Sequence, residues 1–231
     1  MTPQNSSDLQ CPVGEQQCDI LEELKQLRLE HTELSQLVHT DALTQLCNFR
    51  HFMVALEQEM ERTRRTQQPT ALVILDLDHF KKINDTWGHE IGNQALIQTA
   101  KLIRQGVRKL DIPCRYGGEE FAVILPNTDL LTGLQVAERL REIIQATSLA
   151  VNKGEIHLTA SLGIDVFNTA DTDTPEHFIQ RADHQLYRAK QEGRNCVRYA
   201  IDQGAKPAGR VSDEEKDALL GIEQDQDKGK S

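Results

Sequence analysis

Two adjacent glycines, Gly117 and Gly118, constrain the fold of this chain more than any other feature of its sequence. They separate a short apolar run at 112–114 from a strand pattern at 121–125. Glycine adopts positive φ at little steric cost, so a Gly-Gly pair between two strand-like runs predicts a tight hairpin turn. Two acids follow at the exit of the turn. Exposed turns often carry acids for solubility, so this stretch alone leaves a functional and a purely structural interpretation open.

A second stretch, at 71–78, ends an apolar strand pattern in the acids Asp76 and Asp78. A buried strand that delivers carboxylates at its C-terminal end is a common way to place ligands in a cleft. Mg²⁺ is usually held by one or two carboxylates together with the phosphates of a substrate. If the two strands are neighbours, Asp76 and the acids after the glycines, Glu119 and Glu120, form such a site.

In these and further stretches the chain resembles a GGDEF domain, the catalytic domain of diguanylate cyclases, in its GGEEF form. The matching stretches follow the order of the family and span roughly residues 41–200: 41–44, 76–81, 83–89, 115–121, 160–164 and 182–195. One short motif would be a weak signal, whereas the ordered series is a specific one. The resemblance implies an α/β fold, a palm-like sandwich similar to nucleotidyl cyclases, with a central mixed sheet flanked by helices.

The resemblance also implies the activity of a diguanylate cyclase. Such an enzyme condenses two GTP molecules into cyclic di-GMP, releases two pyrophosphates, and uses Mg²⁺ or Mn²⁺ as its cofactor. Each subunit holds one GTP, so the reaction takes place across a homodimer. Two alternatives stay open: a catalytically weak or inactive scaffold that binds GTP or cyclic di-GMP, and a different nucleotidyl cyclase on a similar palm.

Carried over motif by motif, the resemblance implies which residues do the chemistry. The attacking ribose 3′-hydroxyl is a poor nucleophile at neutral pH and needs a base or a metal that favours its alkoxide. The implied metal ligands are Asp76, the backbone carbonyl of Leu77, Glu119 and Glu120. Glu119 is also the implied proton acceptor. Lys81 matches a phosphate-facing lysine of the catalytic set.

Other positions match residues that bind the nucleotide. Lys190 and Arg194 match basic residues that reach the β- and γ-phosphates, although a solvated helix end is the ordinary explanation for such a lysine. Asn84 matches the asparagine that reads guanine, and His89 is implied to lie nearby in the nucleotide pocket. The remaining implied substrate contacts are Gly117, Gly118 and Asn93.

Asn93 is a departure, because many family members have an aspartate at this position. A carboxylate accepts from both N1–H and N2–H₂ of guanine, and charge-assisted hydrogen bonds are roughly twice as strong as neutral ones. Asn93 offers one acceptor oxygen and an NH₂ donor. We therefore expect a weaker guanine contact here than in those relatives.

Arg108 and Asp111 form an Arg-x-x-Asp pattern shortly before the glycines. The resemblance implies that this is the family's inhibitory site, which binds cyclic di-GMP dimers for product feedback. Arginine suits the task, because its planar fork binds phosphates and guanine edges and its face stacks on bases. Arg139, on the following predicted helix, is a second candidate contributor. The alternative is a surface Arg–Asp pair with no ligand.

Residues 19–40 carry the pattern of a helical stalk. Residues that would face a partner helix, here called the seam, recur at spacings of four and three. They are Ile20, Leu24, Leu27, His31, Leu34 and Val38. This heptad pattern predicts a short coiled coil that makes the homodimer, or alternatively a single amphipathic helix on the globular domain. We further hypothesise that a regulatory protein docks on the stalk. Residues 1–18 are predicted to be disordered, 41–200 to form the catalytic domain, and 201–231 to be an acidic, mostly disordered tail.

Composition excludes several classes of protein. The net charge of −10 argues against non-specific nucleic-acid binding, which needs a basic surface. No apolar run reaches the roughly 18 residues of a membrane span, and no signal peptide is expected. An odd number of scattered cysteines suggests a reducing compartment, which the resemblance places in the bacterial cytoplasm. These cysteines are Cys11, Cys18, Cys47, Cys114 and Cys196.

Hydrophobic periodicity predicts the remaining elements. Helices are predicted at 48–62, 81–84, 91–107, 130–147 and 175–192. Strands are predicted at 71–77, on both sides of the Gly-Gly turn, at 155–166 and at 196–199.

Overall fold

A computed structural model of the chain describes residues 23–28, 30, 39–151 and 154–200. Within the predicted stalk, residues 23–28 and 30 are helical, as the heptad pattern indicates. The rest of the stalk before residue 39, the predicted disordered N-terminus and the predicted acidic tail lie outside the described residues.

The described residues form a central five-stranded sheet and a separate two-stranded sheet. The strands of the central sheet are β1 (Thr70–Leu77), β2 (Ile112–Arg115), β3 (Glu120–Leu125), β6 (Ala160–Phe167) and β7 (Val197–Tyr199). The second sheet pairs β4 (Ser148–Val151) with β5 (Gly154–His157). The central order is β2-β3-β1-β6-β7, with β7 parallel to β6 and the other neighbours antiparallel. The mixed sheet that was predicted is confirmed.

Strand β1 lies at the centre of this sheet, and all eight of its residues are buried. It pairs antiparallel with β3 and with β6, so that Leu75 faces Phe121 on one side and Leu162 on the other. A strand that is covered on both faces has a continuous apolar sequence rather than an alternating one. This is why the run at 71–77 could be recognised as a core strand.

Helices cover both faces of the sheet. They are α1 (Phe49–Thr66), α2 (Phe80–Trp87), α3 (His89–Gly106), α4 (Leu130–Ala146) and α5 (Pro175–Gln191). Successive side chains of a strand point to opposite faces. Val73 and Leu75 therefore join one core with α3 and α4, whereas Leu72 and Ile74 join a second core with α1 and α5. The predicted sandwich of helices around a sheet is confirmed.

The prediction of one strand at 155–166 is wrong. The chain leaves the extended path between β5 and β6, and β5 pairs with β4, a strand that was not predicted. At the break, the carbonyl of Thr159 accepts from the backbone N–H of Asp78. The hydroxyl of Thr159 also donates to the Asp78 carboxylate. These bonds hold the chain against the end of β1 before β6 begins.

The hairpin predicted around the two glycines is confirmed, since β2 and β3 pair antiparallel across them, but the prediction of a tight turn with positive φ is wrong. Neither Gly117 nor Gly118 has positive φ, and the loop is longer, since Arg115 and Phe121 form the last strand pair. The backbone N–H groups of both Tyr116 and Gly117 donate to the carbonyl of Glu120. Gly117 leaves room for the Glu120 side chain instead: a Cβ there would lie 2.5 Å from Oε2 of Glu120, so that carboxylate would have to move.

Candidate active site

Three carboxylates meet where β1 ends and β3 begins. Asp76 is the direct partner of Glu120, and residues directly opposite each other in a sheet share a face. Glu119 comes just before, and its carbonyl accepts a hydrogen bond from the backbone N–H of Leu77 at 3.4 Å. Asp76 is only 7% exposed, whereas both glutamates are half-buried. The two strand ends are therefore neighbours, as the sequence argument required.

The pKa of each of these three carboxyls is raised. Burial is the largest cause for Asp76, and the nearby charge of Asp78 adds to it. Burial and the charge of Asp76 raise the pKa of Glu119 and of Glu120. A cluster of partly buried acids with raised pKa values is unfavourable by itself and becomes favourable beside a cation.

Lys190 supplies positive charge to this cluster. It lies in the last turn of α5, and its Nζ is 2.9 Å from Oδ2 of Asp76. Its charge lowers the pKa of Asp76 and of both glutamates, against the effect of burial. Arg194 follows the helix with φ of 63°, and its charge also acts on Asp76. The structure thus brings both predicted phosphate-binding cations to the acidic cluster.

Within the described ranges, no three His, Cys, Asp or Glu side chains are arranged to hold a metal ion. The cation beside Asp76 is the ammonium group of Lys190. The donor chemistry nevertheless fits a hard divalent cation, because the cluster offers only carboxylate oxygens and those carboxyls have raised pKa values.

Asp78, to which the sequence argument gave no separate role, organises the back of the site. Its carboxylate is 6% exposed and accepts from the hydroxyls of Thr159 at 2.8 Å and Ser161 at 2.7 Å. It also accepts from the backbone N–H of Asn195 at 3.0 Å. Asp78 thereby connects the end of β1 to the loop that carries Arg194. The sequence did contain a signal for this role, because Asp78 is the second acid of an Asp-x-Asp pair that begins at Asp76.

The predicted guanine-reading residue, Asn84, lies in α2 and packs closely against α3. A Cβ added to Gly92 would lie 1.9 Å from Oδ1 of Asn84. Gly92 is therefore small because the asparagine amide occupies that space. Asn93, the other predicted guanine contact, is the next residue of α3. The role of Gly92 was not predicted from the sequence.

The other predicted residues of this region are on the surface. Lys81, His89 and Asn93 are exposed, and within the part of the chain that the structure describes their side chains make no hydrogen bond or ion pair. Helix α2 begins directly after His79, whose φ is 57°. This sharp entry turns the chain from β1 into the helix that carries Lys81 and Asn84.

Arg115 fixes the loop that carries the glycines. Its guanidinium donates to both carboxylate oxygens of Asp41 at 3.2 Å and to the carbonyl of Gly118 at 2.8 and 3.3 Å. Asp41 in turn accepts from the backbone N–H and the hydroxyl of Thr44. One arginine therefore connects the first turn of the globular domain to the loop of the candidate site.

The family model described as "Diguanylate cyclase, GGDEF domain" matches residues 38–196, which is more than half of the chain. The chain belongs to this family. The family membership that the sequence motifs indicated is therefore confirmed. All of the candidate site residues lie within the matched range.

Individual known proteins are similar to this chain over most of its length. The response regulator PleD of Caulobacter vibrioides is 42% identical over 163 residues, which is 70% of this chain and 36% of PleD. The diguanylate cyclase SiaD of Pseudomonas aeruginosa, solved in complex with its activator SiaC, has a TM-score of 0.68 and 34% identity. That match covers 79% of this chain and 70% of SiaD.

The coiled coil and GGDEF domain of DgcB from Caulobacter crescentus, solved in complex with c-di-GMP, also has a TM-score of 0.68. It is 29% identical, and the match covers 79% of this chain and 96% of that one. By contrast, the chain spans only 36% of PleD and 47% of diguanylate cyclase A from Treponema denticola. Among the described residues, no helix has the length and apolar character needed to cross a membrane.

The predicted inhibitory residues also lie together. Asp111 accepts from the backbone N–H of Arg108 at 2.7 Å, while the Arg108 side chain is exposed. Arg139 donates to the carbonyl of Gly106 at 2.6 and 2.9 Å. The pKa of Asp111 is raised, because burial outweighs the opposing charges of Arg108 and Arg139. Asp111 thus shapes the turn and leaves the Arg108 guanidinium on the surface.

Proposed function

We propose that this chain is a diguanylate cyclase, which condenses two GTP molecules into cyclic di-GMP and two pyrophosphates. The observation that carries the proposal is the pairing of Asp76 with Glu120, with Glu119 beside them and Lys190 against Asp76. Membership in the GGDEF family supports the same reaction. The acids activate the attacking hydroxyl, and the basic groups stabilise the negative charge that develops on the phosphates.

The acidic cluster is proposed to hold Mg²⁺ or Mn²⁺ through Asp76, Glu119 and Glu120, with the carbonyl of Leu77 as a further ligand. When bound, such a cation favours the alkoxide of the attacking 3′-hydroxyl and neutralises the pyrophosphate. Glu119 accepts the hydroxyl proton. Its raised pKa supports this role, because a base with a higher pKa takes up a proton more readily.

Basic residues on two sides of the cluster are proposed to bind the phosphates. Lys190 and Arg194 come from the end of α5, and Lys81 comes from the first turn of α2. The ion pair of Lys190 with Asp76 opens when an anionic phosphate offers a competing partner. Gly117 and Gly118 allow close approach of the substrate: a Cβ at Gly118 would meet nothing within 4 Å, so this side of the loop is open.

The guanine base is proposed to lie between α2 and α3. Asn84 contacts its edge, Asn93 provides the second contact, and His89 lines the same pocket. The packing of Asn84 against Gly92 supports this arrangement, because it holds the amide in place before the base arrives. Asn93 makes the second contact neutral, which predicts a weaker preference for guanine than a carboxylate would give.

The reaction needs two chains, since each site holds one GTP. We infer that the stalk at 19–40 makes the homodimer. It thereby raises the effective concentration of the two half-sites, the GTP-binding sites that each chain contributes to the reaction. Leu24 is 38% exposed and Leu27 is 58% exposed on the described helical segment. Two leucines at seam positions on an exposed helix support pairing with a second copy.

A regulatory protein is proposed to act through the same stalk. SiaD, which is 34% identical, was solved in complex with its activator SiaC. A coiled coil of about three heptads is marginal, because most helical stability comes from packing. A protein that binds the paired helices would therefore shift the dimer equilibrium by mass action.

Product feedback is proposed at Arg108, Asp111 and Arg139. The exposed guanidinium of Arg108 beside a turn fixed by Asp111 supports this role. DgcB, a structural relative, was solved in complex with c-di-GMP. We place the protein in the bacterial cytoplasm, which agrees with the free thiols of Cys47, Cys114 and Cys196.

The proposed function is tested by turnover of the purified chain with Mg²⁺ and either GTP or ATP, across a range of protein concentrations. Formation of cyclic di-GMP from GTP, with a rate per chain that rises as dimers form, is the expected result. Binding of GTP or cyclic di-GMP without turnover would instead establish a scaffold. Turnover of ATP in preference to GTP would establish a different nucleotidyl cyclase.

A further inference from the structure

Two cysteines outside the proposed active site lie side by side at the edge of the sheet. Cys114 belongs to the edge strand β2, and Cys47 is its partner in a parallel bridge. Backbone hydrogen bonds fix the pairing. The N–H of Cys47 donates to the carbonyl of Pro113 at 3.2 Å, and the backbone N–H of Arg115 donates to the carbonyl of Cys47 at 2.8 Å. Neighbouring strands lie roughly 4.8 Å apart, within the roughly 4.4–6.8 Å between Cα atoms that a disulfide can join.

The two thiols differ in their access to solvent. Cys114 is fully buried, whereas Cys47 is half-buried and lines a cavity of about 420 Å³. A small polar oxidant in this cavity reaches Cys47 first. The charged groups that line the cavity are Arg104, Arg108, Lys109 and Asp111. Three of these four groups are positive, which favours an anionic sulfur.

The two thiols shift each other's pKa in opposite directions. A hydrogen bond from the Cys114 thiol, aided by the charge of Arg104 and opposed by burial, lowers the pKa of Cys47 to about 7. The same bond raises the pKa of Cys114. The Cys114 thiol also lies 3.7 Å from the carbonyl of Ile112. In the structure the Cys114 thiol donates to this carbonyl. Once Cys47 is ionised, its thiolate is the stronger acceptor for the single Cys114 proton.

We propose that Cys47 and Cys114 form a peroxide-reactive pair, in which Cys47 is oxidised first and Cys114 converts it to an intramolecular disulfide. The Cys47 thiolate attacks one oxygen of hydrogen peroxide and becomes a sulfenic acid, while the other oxygen leaves as hydroxide and takes up a proton to form water. The Cys114 sulfur then attacks the Cys47 sulfur. The S–O bond breaks, a second water leaves with the Cys114 proton, and the S–S bond forms.

A disulfide at this place would join the segment after the stalk to strand β2. Thr40 pairs with Cys47, and Cys47 pairs with Cys114, so the covalent bond would fix the base of the N-terminal segment to the sheet. Cys196 is a matched control in the same domain. Burial raises its pKa, and its thiol donates to the carbonyl of Ala189 at 3.5 Å, with no second cysteine beside it among the described residues.

The experiment uses the full chain with Cys11 and Cys18 replaced by serine, fully reduced and without GTP or metal. Hydrogen peroxide should remove about 2 Da from the intact mass, and peptide mapping should join Cys47 to Cys114. Cys47→Ser should abolish this loss, and Cys196→Ser should leave it unchanged. Cys114→Ala should stop the reaction at the sulfenic acid, which dimedone labels at Cys47.

Iodoacetamide provides a second measurement that needs no variant. At about pH 7, Cys47 should be alkylated roughly tenfold faster than Cys196 in the folded protein, because more of it is thiolate. Equal alkylation rates together with no mass loss would overturn the proposal, as would a disulfide between any other pair. All readouts are masses, so loss of cyclase turnover would not affect the result.

Discussion

Lys190 at the end of α5 lies against Asp76 near the end of β1, with 2.9 Å between Nζ and Oδ2. The lysine is one-third exposed, and the aspartate is almost buried. In the absence of a divalent cation, this ammonium group offsets the charge of an acid that burial alone would disfavour. The carboxylates therefore have a counter-charge, which under the proposed function a metal and the phosphates of GTP would replace.

We expect Asp76→Asn and Glu119→Ala each to abolish turnover, with a loss of at least about 10²-fold. Each change removes a charge from the proposed metal site. The fold should persist, and the thermal midpoint of Asp76→Asn should not fall sharply, because the variant removes repulsion with Glu119 and Glu120 along with the ion pair. Glu142→Gln, an exposed acid of α4, is the control. Near-parental turnover by either variant, with unchanged circular dichroism, would contradict the site assignment.

The proposed metal site should be visible in the pH dependence of stability. The pKa values of Asp76, Glu119 and Glu120 are raised in the folded protein. At pH values between the unfolded and folded pKa values, the folded state binds more protons than the unfolded state, so these groups lower stability as pH rises through that window. A divalent cation relieves this loss only where the acids are ionised.

Mn²⁺ or Mg²⁺ should therefore raise the thermal midpoint more at about pH 7.5 than at about pH 5. The measurement is a thermal melt with choline chloride at equal ionic strength as the control. The double variant Asp76→Asn with Glu119→Gln should lose the effect. An equal shift at both pH values, or the same shift in the double variant, would argue against binding at these acids.

Gly92→Ala should impair GTP use while leaving the fold intact. The added Cβ would meet the flexible end of Asn84 at 1.9 Å, so the amide must move. We expect a higher KM for GTP and a smaller preference for GTP over ATP. Asn84→Ala should have a similar effect, and the double variant should be no worse than Asn84→Ala alone, because both changes act on the same amide. Additive losses would show that Gly92 acts in another way.

Arg108→Ala should relieve product inhibition with little change in the initial rate. The side chain is exposed, and Asp111 holds the turn through the backbone N–H of Arg108, which the variant keeps. Lys109→Ala removes a neighbouring charge in the same turn and serves as the control. Initial rates should be measured against added cyclic di-GMP. Equal inhibition of the parent and Arg108→Ala would leave the Arg-x-x-Asp as a surface pair.

Deletion of residues 1–40 should give a mostly monomeric protein whose specific activity is low and rises steeply with concentration. Leu27→Asp should act in the same way, because it places a charge on an exposed seam position. Gln26→Asp adds the same charge one position away and should retain the dimer. Sedimentation and turnover are measured on the same samples. A dimeric truncated protein, or a fully active dilute monomer, would show that the stalk does not join the half-sites.

Patterns within single segments determined much of this protein. The continuous apolar run before Asp76 predicted a core strand, because burial on both faces leaves no polar alternation. Helical periodicity located α1, α3, α4 and α5 to within a few residues of their observed ends. The ordered motifs identified the GGDEF family, since they carry the side chains that a shared fold must place together.

Contacts between distant segments were decided only by the tertiary structure. No local pattern indicates that Lys190 meets Asp76, that Arg115 joins Asp41 to the glycine loop, or that Cys47 lies beside Cys114. The hydrogen bond from Thr159, between β5 and β6, to Asp78 likewise joins segments far apart in the chain. Local sequence determines which conformation a segment prefers, but sheet register and helix packing determine which charges become neighbours. In this protein, that packing sets the electrostatics of the site.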